Sequence, residues 1–224
     1  MYKLFGIGNP GFSFTYTYLN NILNLIDEVE KCKGRTDITY QKFQELLKDP
    51  SRIRMIVPFL RDVGIISDEN FTNKLQCIDF NSFYTECSKP FLLFMEVYRY
   101  LNLDDEIACY KTMNVFRTIM YRYFDTLSSK REEYKIIYNY LKEFKTLDKF
   151  EFFVITTFEM NSITDIAGYK NAKDLINAYR NGSVKISNYE YSSNVNSYSY
   201  IMQILCDFDI CIKLKNSYQI KEEK

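Results

Sequence analysis

Apolar positions in the first sixty residues recur three or four apart, the period of a helix with one buried face. Leu19, Ile22, Ile26 and Val29 predict a helix over Thr15–Lys31 that stops at Gly34. Thr39 suits the cap of a short second helix with Phe43, Leu46 and Leu47 turned inward. Asp49 and Pro50 suit the cap and first turn of a third, whose buried stripe is Ile53, Ile56, Val57 and Leu60. Pro58 lies inside that stripe without an amide hydrogen, so a bend is expected there. After Gly64 the pattern changes. "IISDENFTNKLQCIDF" is an apolar pair, a polar turn and a second short apolar run, which predicts a β-hairpin. "FYTECSKPFLLFMEVYRYL" then predicts a capped helix from Thr85 to about Leu101.

The second half repeats this grammar. "ACYKTMNVFRTIMYRYF", "SSKREEYKIIYNYLKEF", "TLDKFEFFVITTF" and "TDIAGYKNAKDLINAYRNG" each read as helical, with Thr146 or Asp148 capping the third and Gly182 stopping the fourth. "SSNVNSYSYIMQILCDFDICIKLKNSYQI" is a helix followed by a hairpin with "KNS" at its turn. Helix, helix, helix, hairpin is the order of a winged helix. The predicted fold is therefore mainly α with small β-hairpin wings, as tandem winged-helix (helix-turn-helix) domains. Residues 1–102 hold an N-terminal arm and the first domain; 103–224 hold a helical connector, opened by acidic "NLDDE", and the second.

Composition narrows the chemistry. The 224 residues are 46% apolar, but no apolar run approaches the ~18 residues that span a bilayer. "MYKLFGIGNPGF" lacks the charged front and apolar stretch of a secretory signal, so a cytoplasmic protein with no membrane partner is expected. Six cysteines without C-x-x-C spacing, in a chain with no histidine, read as buried free thiols rather than a zinc site. The missing histidine also excludes Ser-His-Asp, Cys-His and H-E-x-x-H catalysis. With 29 basic and 29 acidic residues the net charge is zero, so any contact with DNA requires basic residues gathered on one face.

Two helix fronts offer such a face. In "DPSRIRMIVPFLRDVGII" Arg52 can pair with a guanine edge or neutralise a phosphate, flanked by Ser51 and Arg54, with Lys48 and Arg61 near in sequence. The plain structural alternative is a solvated helix end, although arginine there opposes the helix dipole. In the second half the equivalent front is "SSNVNSYS". Asn194 and Asn196 suit an adenine edge, Ser193 or Asn194 could equally be a cap, and Tyr198 follows in the first turn. Lys74 lies in the first wing, where it would meet phosphate. The many tyrosines spread through both halves are otherwise core residues.

"GIGNPG" fits G-x-G-x-x-G literally, but a dinucleotide site also needs a βαβ unit, and no parallel-strand pattern follows. It also resembles a stretch of the peptidyl-tRNA hydrolases, which depend on a histidine this chain lacks. A broader resemblance begins at "LFGIGNPGFSFTYTYLNNILNLIDEV". It continues through "PFLRDVGIISDENFTNKLQCIDFNSFYTECSKPF", "TLDKFEFFVITTFEMNSITDIAGYKNAKDLINAYRNG" and the closing helix and hairpin. In order and spacing this resembles the DNA-recognition region of FokI-like and AlwI-like type IIS restriction or nicking endonucleases. The arm is one residue shorter than theirs, and Cys87-Ser88 stands where a turn glycine is common.

The resemblance implies a target-recognition part that binds double-stranded DNA at a short asymmetric site as a monomer. It places Asn9, otherwise a turn residue before Pro10, in a groove. The PD-(D/E)-x-K nuclease of that family, with its Mg2+, is expected in a linked domain or subunit. In this chain no catalytic residue, metal site or cofactor is expected: Glu133-Tyr134-Lys135 lies in a helical run and reads as an exposed face with intrahelical pairs. Two other readings fit the sequence. One is a stand-alone winged-helix transcription regulator or replication initiator, the other a helical protein-interaction module.

Overall fold

A computed structural model describes residues 1–8, 14–73 and 75–222, with backbone alone at positions 50, 52 and 53. The chain divides into two compact units: Phe12–Lys130, called the inner unit, and Met1–Gly11 with Arg131–Lys224, the terminal unit. The division differs from a boundary at 102. The first strand, β1 (Tyr2–Phe5), belongs with the second half of the chain, and the helices up to Lys130 belong with the first. The molecule is mainly helical, with ten α-helices and two small sheets among the described residues.

In the inner unit the expected helices form. Helix α1 (Tyr16–Cys32) is capped by Thr15, whose hydroxyl accepts from the Tyr18 amide, and buries Leu19, Ile22, Leu25, Ile26 and Val29. Gly34, at φ +82°, occupies the left-handed region that ends it. Thr39 caps α2 (Tyr40–Leu46) through the Lys42 amide. Its inner face is smaller than expected: Phe43 is buried, but Leu46 is 46% exposed. The helix stops there, and Leu47 turns into the core from an extended residue. Helix α3 (Pro50–Asp62) passes through Pro58 without a break and buries Ile56, Val57, Phe59 and Leu60. Ile53 lies outside the described side chains.

The expected first hairpin does not form as strands. One bridge, Ile66↔Tyr84, closes its base, a second joins Thr39 to Cys77, and a 3-10 turn occupies Asp68–Phe71. The cause is a side chain. Asn70, only 5% exposed, accepts from the Asp79 amide and donates to the Ser82 carbonyl, replacing ladder bonds with its own. Phe80 and Phe83 then pack on Phe43, and Phe71 packs on Phe83. Thr85 likewise makes no side-chain cap for a helix; it precedes a 3-10 turn that leads into α4 (Lys89–Arg99), and its hydroxyl donates to the Gly64 carbonyl. Helices α5 (Glu106–Tyr121) and α6 (Phe124–Lys130) complete the unit, with Phe14, Phe59, Phe94 and Phe116 meeting at its centre.

The terminal unit is organised around a helix buried on nearly every side. Helix α7 (Glu132–Phe144) leads into strand β2 (Thr146–Asp148) and then α8 (Lys149–Met160). A capping box starts α8: Asp148 accepts from the Glu151 amide, and Glu151 accepts from the Asp148 amide. Phe150, Phe152, Phe153, Val154 and Ile155 fill the core along it. The buried Glu151 carboxylate is matched by Arg180 of α9 (Ala172–Arg180), which also donates to the carbonyls of Phe144 and Thr146. Strand β3 (Tyr189–Ser193) pairs with β1 in parallel, in the register Tyr2↔Tyr189. Helix α10 (Ser197–Asp207) follows, then the hairpin of β4 (Cys211–Lys213) and β5 (Ser217–Ile220). Strand β2 pairs with β5 on the side away from β4, giving the sheet order β2-β5-β4.

Candidate nucleic-acid interface

The front of α10 is built by three constraints. Asn194 takes a positive φ of 49°, which asparagine tolerates better than most residues, and turns the chain from β3 into the helix. The Ser197 amide donates back to the Asn194 carbonyl at 2.9 Å. The chain entering from β1 then closes against this turn: the Gly6 amide donates to the Ser193 carbonyl at 3.2 Å. A Cβ at Gly6 would lie 2.5 Å from the Ser197 hydroxyl oxygen and 2.7 Å from the Asn194 carbonyl oxygen. The first glycine of "GIGNPG" is therefore required by close packing. Thr156 and Thr157 of α8 hold the same segment through the backbone of Phe5.

Neither Ser193 nor Asn194 caps α10. The cap position is Asn196, whose side chain makes no capping bond and stands exposed, as does that of Asn194. Among the described residues no acceptor meets the amides of Tyr198 or Ser199, so the positive end of the helix dipole faces outward beside two free carboxamides. Ser193 is half-buried, with its carbonyl used by Gly6. Tyr198 turns inward. Its hydroxyl donates to the Leu147 carbonyl, its ring packs between Phe152 and Tyr218, and burial raises its phenol well above the usual range.

The hairpin that follows α10 carries two basic residues that the sequence reading did not single out, and its Tyr218, paired with Lys213, packs its ring on Tyr198 in the first turn of the helix. Lys213 and Lys215 flank the tight β4–β5 turn, closed by the Leu214 amide on the Ser217 carbonyl. Both lysines are exposed, and among the described residues neither forms an ion pair. The "KNS" turn was legible in the sequence, so its neighbours could have been found by asking which side chains a hairpin tip exposes.

The inner unit offers a second, sparser front. Lys48 and Arg54 are exposed, and among the described residues Arg54 has no carboxylate partner. Ser51 is exposed and donates to Asp49 at 2.7 Å. The Arg52 side chain, Asn9 and Lys74 lie outside the described residues. Arg61 is already engaged by Asp68 and Asp62, and Lys130 reaches the same Asp68. Burial of the half-covered Tyr40 raises its phenol, against the pull of Arg61 and Arg54 nearby.

Comparison with protein-family models, curated proteins and solved structures returns no match to this chain. Its own residues must carry the reading. Among the described residues no cluster of three potential metal ligands occurs, and Glu133 of the E-Y-K triplet sits on α7 beside Arg131 at 3.6 Å. No described helix is long and apolar enough to cross a membrane. The cysteines are free, but Cys77 and Cys87 are exposed and Cys206 half-buried, so the expectation that all six are buried fails. Cys87 sits in the 3-10 turn before α4 and donates to the Gly64 carbonyl.

Proposed function

We propose that this protein binds double-stranded DNA at a short asymmetric site, reading it with two winged helices. In this reading α10 and α3 are the recognition helices and the β4–β5 hairpin is a wing. The order α7, β2, α8, α10, β4, β5, with β5 between β2 and β4, supports a winged helix in the terminal unit, with α9 and β3 as an insertion before the recognition helix. The inner unit follows the same order in reduced form, its strands shortened to bridges. The observation that carries the proposal is the front of α10. A helix start with exposed asparagine side chains and amides that meet no partner among the described residues, followed by a hairpin whose two exposed lysines form no ion pair among them, is chemically matched to base edges and phosphates.

By its resemblance to type IIS endonucleases, we place the protein as a target-recognition part that acts with a nuclease carrying its own Mg2+ site, in a linked domain or another subunit. Asn196, Asn194 and Arg52 then read bases, while Lys48, Arg54, Lys213 and Lys215 neutralise phosphates. The test is a competition assay over a randomised duplex library. Asn196→Ala is expected to cost ~1–3 kcal/mol and to relax preference at one base pair. Arg52→Ala should relax a different one, and the two losses should add for well-separated sites. Lys215→Ala should weaken all sequences alike. If all three variants lose affinity without any change in base preference, the helix fronts only position the protein and the recognition reading is wrong.

A further inference from the structure

Helix α10 ends in a turn that reverses the chain and lays β4 back against it. Asp209 takes a positive φ of 60° one residue beyond the C-cap Phe208. Its amide donates to the Cys206 carbonyl at 3.0 Å, and the Ile210 amide donates to the Leu205 carbonyl at 2.9 Å. This is the Schellman arrangement, in which two crossed bonds close a helix end. The last segment of the chain braces it: Lys221 pairs with the Asp209 carboxylate, and its amide donates to the Ile210 carbonyl. The reversal sets Cys211, the first residue of β4, beside Cys206 in the last turn of α10. Their sulfurs are 3.5 Å apart, in van der Waals contact. Cys211 is buried and also donates to the Met202 carbonyl at 3.8 Å, whereas Cys206 is half-buried and the more accessible of the two.

We propose that Cys206 and Cys211 are a redox modification site, closing to a reversible disulfide that ties the end of α10 to β4. A C-x-x-C spacing is not required, because the reversal brings residues five apart into contact. The co-reactant is a small disulfide such as oxidised glutathione. The Cys206 sulfur, having lost its proton to solvent, attacks one sulfur of that disulfide, and one small thiolate leaves and is protonated. Cys211 then gives up its proton and attacks Cys206 Sγ, and the second small thiol leaves. Two protein thiols are oxidised to one disulfide, and one small disulfide is reduced to two thiols. The contact with Cys206, and burial, hold the Cys211 thiol above its ordinary range, so Cys206 reacts first. The first of these causes is gone once Cys206 carries the mixed disulfide. In a reducing compartment the pair stays as two thiols, and the link forms when the thiol–disulfide balance shifts towards oxidation.

The linkage does not rest on DNA binding, although under that reading it joins the recognition helix to its wing. The test equilibrates the full chain in glutathione buffers of rising oxidised fraction. The reaction is quenched with acid, the remaining thiols are alkylated in denaturant, and the products are weighed. The protein should lose two hydrogens, and dithiothreitol should restore them. Cleavage before Asp207 and Asp209 places the two cysteines on separate peptides, which should stay joined until reduction. Cys211→Ser should stop at one glutathione on Cys206, and Cys206→Ser should leave buried Cys211 unmodified in the same buffers. On linkage, hydrogen exchange at the Asp209 and Ile210 amides should slow by about tenfold or more. If both cysteines of the wild-type chain are still alkylated after excess oxidised glutathione, the proposal is overturned. A glutathione that persists on wild-type Cys206 overturns it as well. Both readings use the unmodified sequence, so they hold even where a serine variant fails to fold. Amides that exchange alike in the two forms overturn the tie between helix and strand. A failure of DNA binding moves none of these readouts.

Discussion

Asn196 occupies the position where a helix front usually recruits a capping side chain, and α10 does not use it. A working cap is worth ~1 kcal/mol. Asn196→Ala should therefore change unfolding free energy by no more than about 0.5 kcal/mol while altering base preference. A loss of a full kcal/mol in urea unfolding would return the residue to a structural role. Gly6 carries the opposite expectation. Its missing side chain leaves room for the Ser197 hydroxyl and the Asn194 carbonyl, so Gly6→Ala should destabilise by ~1–3 kcal/mol through overpacking. Gly8, with open space around it, is the control, and Gly8→Ala should cost far less in the same assay. In the sequence both glycines belong to one motif. The difference between them is a distance to α10, nearly two hundred residues away along the chain, which no local pattern encodes.

Helices follow from local periodicity, and the departures from expectation at this scale are where one side chain overrides a pattern. The first hairpin gives way to a turn because buried Asn70 satisfies backbone groups that a ladder would have paired. Leu46 is exposed because α2 ends one residue before the inward-facing Leu47. Between elements, Arg99 of α4 pairs with Asp27 of α1 at 2.7 Å, and its hydrogen bonds hold the Asp27 carboxyl below its ordinary value of about 3.9. A carboxyl whose folded value is depressed contributes stability above the unfolded value and loses it as pH falls through the folded one. Both partners are partly exposed, so Asp27→Asn should cost under ~1 kcal/mol at pH 7. Urea unfolding at pH 7 and at about pH 2 should show that gap closing in acid. A gap that persists at low pH would mean the substitution acts through packing rather than charge.

At the scale of the molecule, zero net charge makes the proposed binding to DNA a matter of where charge lies. Lys48, Arg54, Lys213 and Lys215 are exposed and Arg61 is neutralised by Asp68 and Asp62, so the affinity should come from a few phosphate contacts. Log affinity should fall linearly with log salt, by about 0.9 per contact, and a flat dependence would remove the electrostatic part of the reading. Incubation with cognate plasmid and Mg2+ should leave the DNA uncut; cleavage that tracks this polypeptide through purification would place a nuclease within it. The sequence by itself determined the mainly helical class, the caps of α1, α2 and α8, the stops at Gly34 and Gly182, and the closing helix and hairpin, because caps, glycine stops and a 3.6-residue period act over a few neighbours. Only the tertiary structure decided that β1 pairs with β3, that Gly6 abuts α10, that Tyr198 turns inward, and that Lys213 and Lys215 stand exposed at the hairpin tip, without an ion pair among the described residues. Those outcomes depend on which surfaces distant segments bury against one another, and burial energy is settled by the assembled core rather than by any stretch of chain alone.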